Sequence, residues 1–255
     1  MNFIISANTD VGIVKPTNQD SLSVMVLKTP LGRMAFGILC DGMGGLDKGE
    51  VASASVTRAF REWAIAELPL LCKYPLEDAV IRKHWERIIV EQNQLIKDFS
   101  VRHGVRMGTT VVVMLLTQSR YYILNVGDSR AYRLTGSIQQ LTTDQTVMAR
   151  EIAMGRITEK EAETDPRRNV LLQCVGASDE IFPEMTFGDV ESNAVYMLCS
   201  DGFRHEITSA EIYDRLQPNR LLDERSMQSH AQFLIELNKQ RLERDNISVV
   251  LVRTF

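Results

Sequence analysis

The chain is poor in the residues that build cross-linked or membrane-bound proteins. Among its 255 residues are four cysteines, Cys40, Cys72, Cys174 and Cys199, and no two of them stand at Cys-x-x-Cys spacing. Neither a zinc site nor a disulfide framework is therefore signalled, and the four read as buried thiols of a reducing compartment. No uninterrupted apolar run approaches the ~18 residues of a membrane span. The opening residues MNFIISANTD carry no basic segment ahead of a long apolar core, so no membrane attachment is expected and the cytoplasm is the expected compartment. Positive charge is not in excess either: 29 Lys and Arg stand against 33 Asp and Glu, a net charge of −4. That argues against sequence-independent binding of nucleic acid, which needs a basic face. The four histidines are scattered at 84, 103, 205 and 230, and His84, inside a helical stretch, reads as a surface or half-buried side chain. Repeats, linkers and low-complexity tracts are also missing, so nothing divides residues 1–255 into more than a single domain.

What is present is ordinary for a globular protein, 44% hydrophobic and 24% charged, with enough length to bury a large core. Residues 2–8 and 21–28 have strand character and flank a polar loop ending at Asp20, which suggests a hairpin-like pair. From Gly49 to about Leu68 the spacing becomes helical, with Val56, Ala59, Phe60 and Trp63 on one stripe. A second long helix is predicted from about Leu76 to Val101, its stripe made by Ile81, Trp85, Ile88, Leu95 and Phe99. Thr109–Leu116, Tyr121–Val126, Ala131–Leu134 and Ser137–Leu141 read as an antiparallel meander. Residues 145–168 look like an excursion of short helices outside the core, one opened by the capping box Thr158–Glu161. Strands are expected again at Val170–Cys174, Met185–Phe187 and Val195–Leu198. A short helix capped at Thr208 and a longer one from Arg225 to about Leu242 follow, and a closing strand runs from Ile247 to Phe255. The pattern predicts an α+β fold in which two antiparallel sheets pack as a sandwich and helices cover both outer faces.

One device recurs along this frame. The apolar run Ala35–Cys40 stops at Asp41, followed by Gly42, Gly44 and Gly45; Leu124-Asn-Val-Gly-Asp128 and Met197-Leu-Cys-Ser-Asp201-Gly202 likewise run a strand into an acid beside glycine; and Asp245 opens the last strand. Alone, Asp-Gly after an apolar run is an ordinary turn. Repeated, it puts carboxylates at strand ends, with backbone free to bring a carbonyl close to an ion. Were Asp41, Asp128, Asp201 and Asp245 to gather at one rim, their mutual repulsion would call for divalent cations, and an all-oxygen set selects Mg²⁺ or Mn²⁺ over zinc or copper. Two such ions about 3.5–4 Å apart can acidify a water and clamp a phosphoryl oxygen, which implies hydrolysis of a phosphate ester. Calcium storage is the plain alternative, but no loop carries the Asp-x-Asp-x-Asp-Gly ladder of a calcium-binding helix-loop-helix.

Lys15-Pro-Thr-Asn-Gln-Asp20, Asp41-Gly-Met-Gly-Gly45, Met107-Gly-Thr-Thr110, Asn125-Val-Gly-Asp-Ser-Arg130, Cys199-Ser-Asp-Gly202 and Asp245-Asn246 occur in this order. The ordered set, from about Ile5 to Val252, resembles the PPM (type 2C) metal-dependent serine/threonine protein phosphatases, in particular their bacterial branch. The resemblance implies that Asp41 bridges two Mn²⁺ or Mg²⁺ ions, that the Gly42 carbonyl ligates one, and that Asp201 and Asp245 complete the other. It implies that Asp20 stands beside the site ordering water, and that Asp128 holds a third, weaker ion with Asp201. A water between the two ions would attack phosphoserine or phosphothreonine in line, without a phosphoenzyme. Thr109 and Thr110 would shape the strand beneath the site, and residues 145–168 would be the family's flap. The implied partners are phosphorylated proteins, with a cognate serine/threonine kinase and its substrates, met by a monomer.

Several positions depart from the family's pattern. Lys15 replaces the phosphate-binding Arg, keeping the charge but not the two-pronged contact. Gln19 stands where many relatives have Glu, Met43 where eukaryotic members have a His, and Gln145 and Asp165 where many relatives have His. These substitutions keep two rival expectations open: a catalytically silent module that binds a phosphoprotein or a kinase, and an enzyme acting on phosphorylated small molecules.

Overall fold

The computed structural model describes residues 1–43 and 48–255, the side chain of Glu163 apart. Among the described residues, ten strands form two antiparallel sheets. One sheet takes β1 (Phe3–Asp10), β6 (Arg130–Leu134), β7 (Ile138–Gln140), β9 (Val195–Cys199) and β10 (Ile247–Thr254), in the order β1-β10-β9-β6-β7. The other takes β2 (Asp20–Thr29), β3 (Gly32–Asp41), β4 (Val111–Leu116), β5 (Arg120–Val126) and β8 (Glu184–Asp189), in the order β2-β3-β4-β5-β8. The helices are α1 (Gly49–Ala66), α2 (Leu68–Leu71), α3 (Asp78–His103), α4 (Val147–Ala153), α5 (Glu159–Thr164), α6 (Ser209–Leu216) and α7 (Glu224–Gln240).

Alternation along the strands makes three apolar layers. On β3, Met34, Phe36, Ile38 and Cys40 face α1 and α3, where they meet Phe60, Trp63, Ile81 and Trp85. Ala35 and Leu39 of the same strand face inward, against Leu198, Val250 and Val252 of the other sheet. On β10, Ile247, Val249 and Leu251 turn outward to Met227, Ala231 and Leu234 of α7. The two-residue strand period and the helical stripes thus fit the same sandwich, which is the predicted α+β fold. All four cysteines are buried in it.

The capping boxes at Thr158–Glu161 and Thr208–Glu211 are formed, as is a third at Asp223–Ser226. Four local expectations are corrected. The strands at 2–8 and 21–28 do not pair: β1 joins β10 in one sheet and β2 joins β3 in the other, because the tight turn at Thr29–Gly32 makes β2 and β3 the hairpin. The meander is two hairpins in different sheets, β4–β5 and β6–β7, since the chain crosses between layers at Gly127–Ser129. Val170–Cys174 is not a strand; this stretch touches its neighbours through the bridge Thr146–Leu171, with Thr109–Val175 just beyond it. Leu95 is exposed, and Ile96 takes the buried place on α3.

Candidate functional site

At one end of the sandwich the acids singled out by sequence come from both layers. Asp20 begins β2 directly opposite Asp41, the last residue of β3. Three contacts fix the Asp41 peptide: its carbonyl accepts from the Thr110 N–H at 2.9 Å and from the Thr109 hydroxyl at 2.9 Å, and its N–H donates to Thr110 Oγ1 at 3.1 Å. Thr109 and Thr110 therefore hold the backbone under the site, as expected. Gly42 is packed so closely that a Cβ there would lie 2.5 Å from the carbonyl oxygens of both Gln19 and Gly49; only glycine fits beside the acid. Gly44 and Gly45 lie outside the described residues.

The other sheet supplies Asp201, just after β9, and Asp245, just before β10. A Cβ on Gly202 would lie 2.3 Å from the Asn246 carbonyl oxygen, so the absence of a side chain at 202 lets these two segments touch. Asn246 then ties in the loop that carries Lys15 and Asp20. Its Oδ1 accepts from the Gln19 N–H at 2.8 Å, and its Nδ2 donates to the carbonyls of Val11 at 2.9 Å and Thr17 at 3.3 Å. The loop brings Lys15 Nζ to 2.8 Å from Asp245 Oδ1. Asp128 lies on the crossover between the sheets.

Electrostatics show that these acids share one neighbourhood. Burial raises the carboxyl pKa of Asp20 to about 7, with Asp201 and Asp245 pushing the same way. The Ser248 and Ser200 hydroxyls temper this rise, yet neither closes a hydrogen bond, for both Asp20 oxygens are buried without a partner. Asp41 is held well above the usual carboxylate range by burial and then by Asp20, Asp201, Asp128 and Asp245. Asp128 is raised to about 6 by burial and Asp201, against the opposing pull of Arg204. Asp201 Oδ1 is likewise buried with no hydrogen-bond partner. Among the described residues no three Asp, Glu, His or Cys side chains close into a ready-made metal cage; the acids are near enough to raise one another's pKa. Buried acceptors without donors are costly. A donor set made only of carboxylate and carbonyl oxygens fits a hard divalent cation such as Mn²⁺ or Mg²⁺.

Five further residues complete the surroundings; the sequence reading named Arg130 within a motif and His205 among the histidines without giving either a role, and passed over Arg204, Glu243 and Asp144. Arg204 and His205 occupy the turn after Asp201, both N–H groups donating to its carbonyl at 2.9 and 3.1 Å. His205 Nε2 stands 3.6 Å from Asp201 Oδ2, and its Nδ1 stands 3.5 Å from Glu243 Oε2. Burial works against the imidazolium, but Glu243 and Asp201 outweigh it and the His205 pKa is raised. Glu243 Oε1 also accepts from the Arg244 and Asp245 N–H groups at 2.6 and 2.8 Å, fixing the Asp245 backbone. Arg130 grips Asp144 with both prongs, at 2.8 and 2.7 Å. The spacing of Arg204 and His205, one helical turn past Asp201, was a usable signal; the approach of Asp144 depends on tertiary folding and was not. On the flap side, Gln145 Oε1 accepts from the Gly127 N–H at 2.9 Å, and Asp165 is turned to Arg167, 2.9 Å away.

The family profile described as protein phosphatase 2C matches residues 14–252. Protein phosphatase PhpP of Streptococcus pneumoniae is 31% identical over 252 residues, which cover 97% of this chain and 96% of that one. The serine/threonine phosphatase of S. agalactiae superposes with a TM-score of 0.85 at 28% identity, covering 100% of both chains. The catalytic domain of the serine/threonine protein phosphatase PstP, solved with two manganese ions, superposes with a TM-score of 0.78 at 27% identity over 99% of both chains.

Proposed function

Since the chain belongs to the protein phosphatase 2C family, we propose that it is a metal-dependent serine/threonine protein phosphatase in which a water held between two divalent cations attacks the phosphorus directly. The observation that carries this reading is the gathering of Asp20, Asp41, Asp201 and Asp245 from two sheets around buried carboxylate oxygens that have no donor. Asp41 would serve both ions, the Gly42 carbonyl one of them, and Asp201 and Asp245 the other. When bound, the cations supply the acidity that makes water nucleophilic at neutral pH and the charge that neutralises the phosphoryl oxygens.

The chain's own groups do the rest. Asp20, with two free acceptors, orders water at the rim. Lys15 has three donors on its ammonium group, so it can hold Asp245 and still present an N–H to a phosphoryl oxygen; without the planar fork of arginine it does so through one contact at a time. Thr109 and Thr110 keep Asp41 from shifting as charge builds. As water's oxygen bonds to phosphorus, the bond to the seryl or threonyl oxygen breaks, and that oxygen takes its proton from water, because Met43 offers none. The phosphorylated proteins are those of a cognate serine/threonine kinase, met in the cytoplasm by a monomer of one domain. Among the described residues no helix is long and apolar enough to cross a membrane.

Hydrolysis of a phosphothreonine peptide should require Mn²⁺ or Mg²⁺ and vanish in Asp41→Asn, with the far-ultraviolet dichroism unchanged; undiminished turnover in that variant refutes the assignment. One contact favours the silent, binding-only reading: Lys15 is already engaged by Asp245. Calorimetry separates the two, since a silent module should take up Mn²⁺ weakly or not at all.

A further inference from the structure

Arg204 is a cation that none of these roles uses. Its side chain is only 14% exposed. Its Nη2 donates to the Asp128 carbonyl at 3.1 Å and stands 3.8 Å from Asp128 Oδ2 and 3.7 Å from Asp144 Oδ2. Asp144 already has its counter-charge, gripped by both prongs of Arg130. Arg204 is thus bonded to the Asp128 backbone and lies between the Asp128 and Asp144 carboxylates, with its Nε buried and unpartnered.

We propose that the Arg204 guanidinium takes the place of the third cation that the family resemblance assigns to Asp128 and Asp201, so that this protein loads two divalent ions and no third. The proposal rests on the reading that Asp41, Asp201 and Asp245 hold the first two. The charged groups that face Asp128 are Asp201, Asp144 and Asp41 on one side of the balance and Arg204 and His205 on the other. A guanidinium keeps its charge at every working pH. A divalent ion on Asp128 would sit close to that fixed charge in a half-buried setting where repulsion is little screened. It would also neutralise the Asp128 carboxylate that now lies 3.8 Å from Arg204 Nη2, leaving a buried guanidinium with less counter-charge. The resident cation is permanent, so the dependence on metal concentration should show one phase, with no weak step at high Mn²⁺.

The test counts ions. Equilibrium dialysis of the full chain against millimolar Mn²⁺, with the bound metal measured by atomic absorption, should give two ions per chain for the wild type and for Arg204→Lys. Arg204→Gln, and Arg204→Ala if it folds, should take up a third, weaker ion. Asp128→Asn should remove that third ion in the Arg204→Gln background while leaving the wild-type count at two. Three ions in the wild type would overturn the proposal, as would two ions in a folded Arg204→Gln. A wild type that binds none would instead strike down the two-ion reading beneath it, and this proposal with it.

Discussion

The middle and the end of the same β3 strand follow opposite rules. At its middle, Phe36 and Ile38 lie under a helical layer where Trp63 and Trp85 meet edge to face, their ring centroids 5.7 Å apart, and apolar surface is matched to apolar surface. At its end, Asp41 faces Asp20, Asp128, Asp201 and Asp245, like charge against like charge. The helical layer stabilises the fold; the rim opposes it until cations arrive. The contrast teaches that the core must be rigid for the rim to exist, since five acids brought together from 20 to 245 in the sequence would otherwise part.

Four perturbations probe that contrast. The largest effect belongs to the rim: Asp201→Asn should cut metal-dependent phosphatase turnover by about a thousandfold or more, while the melting temperature in chelator stays level or rises. A fall in that temperature would show that Asp201 is a stabilising residue. The helical layer should answer the other way. Trp85→Ala should cost about 3–5 kcal/mol of stability by opening a cavity, read from urea unfolding, with Mn²⁺ affinity of the folded fraction little changed.

Third comes pH. A carboxylate whose folded pKa is raised keeps its proton after the unfolded chain has lost it, so the folded state loses stability as pH rises between the two values. For Asp20 that window runs from 3.8 to about 7, and for Asp128 from 3.8 to about 6. Metal-free protein should therefore melt about 5 °C lower at pH 7.5 than at pH 5, and saturating Mn²⁺ should abolish the difference. A metal-free melting temperature that rises over this range would mean the acids do not crowd one another.

The smallest effect lies on the far helices. Glu211 closes the α6 capping box and meets Arg241, which together pull its pKa down to about 2. This pair is about one-third exposed, so Glu211→Gln should cost only about 0.5–1 kcal/mol. That contribution is present above pH 4.5, fades as pH falls toward 2, and should shrink in high salt without altering turnover.

Much of the sandwich was legible because its signals are local. The alternation along Met34–Cys40, the stripe through Phe60 and Trp63, and the capping pairs at 158–161 and 208–211 each need only a few neighbouring residues. The acids at strand ends were legible for the same reason. What escaped depends on distant partners. The closing strand, not β2, claims β1, because the register Phe3–Thr254 to Asp10–Ile247 joins opposite ends of the chain. The crossover at Gly127–Ser129 looks like any tight turn until the second sheet is in place. Arg204 and His205 carried a hint in their spacing from Asp201, but their meaning appears only once Asp128 and Glu243 arrive beside them.

Asp20 and Asp41 ride on one sheet, Asp201 and Asp245 on the other, so the aperture between the acids is set by how far apart the two layers stand. Gly37 lies in that gap, where an added methyl group would come within 3.3 Å of Val250 Cγ1. A wedge placed there, four residues along β3 from Asp41, should act like a spacer in a hinge, widening the jaws and loosening their grip on manganese.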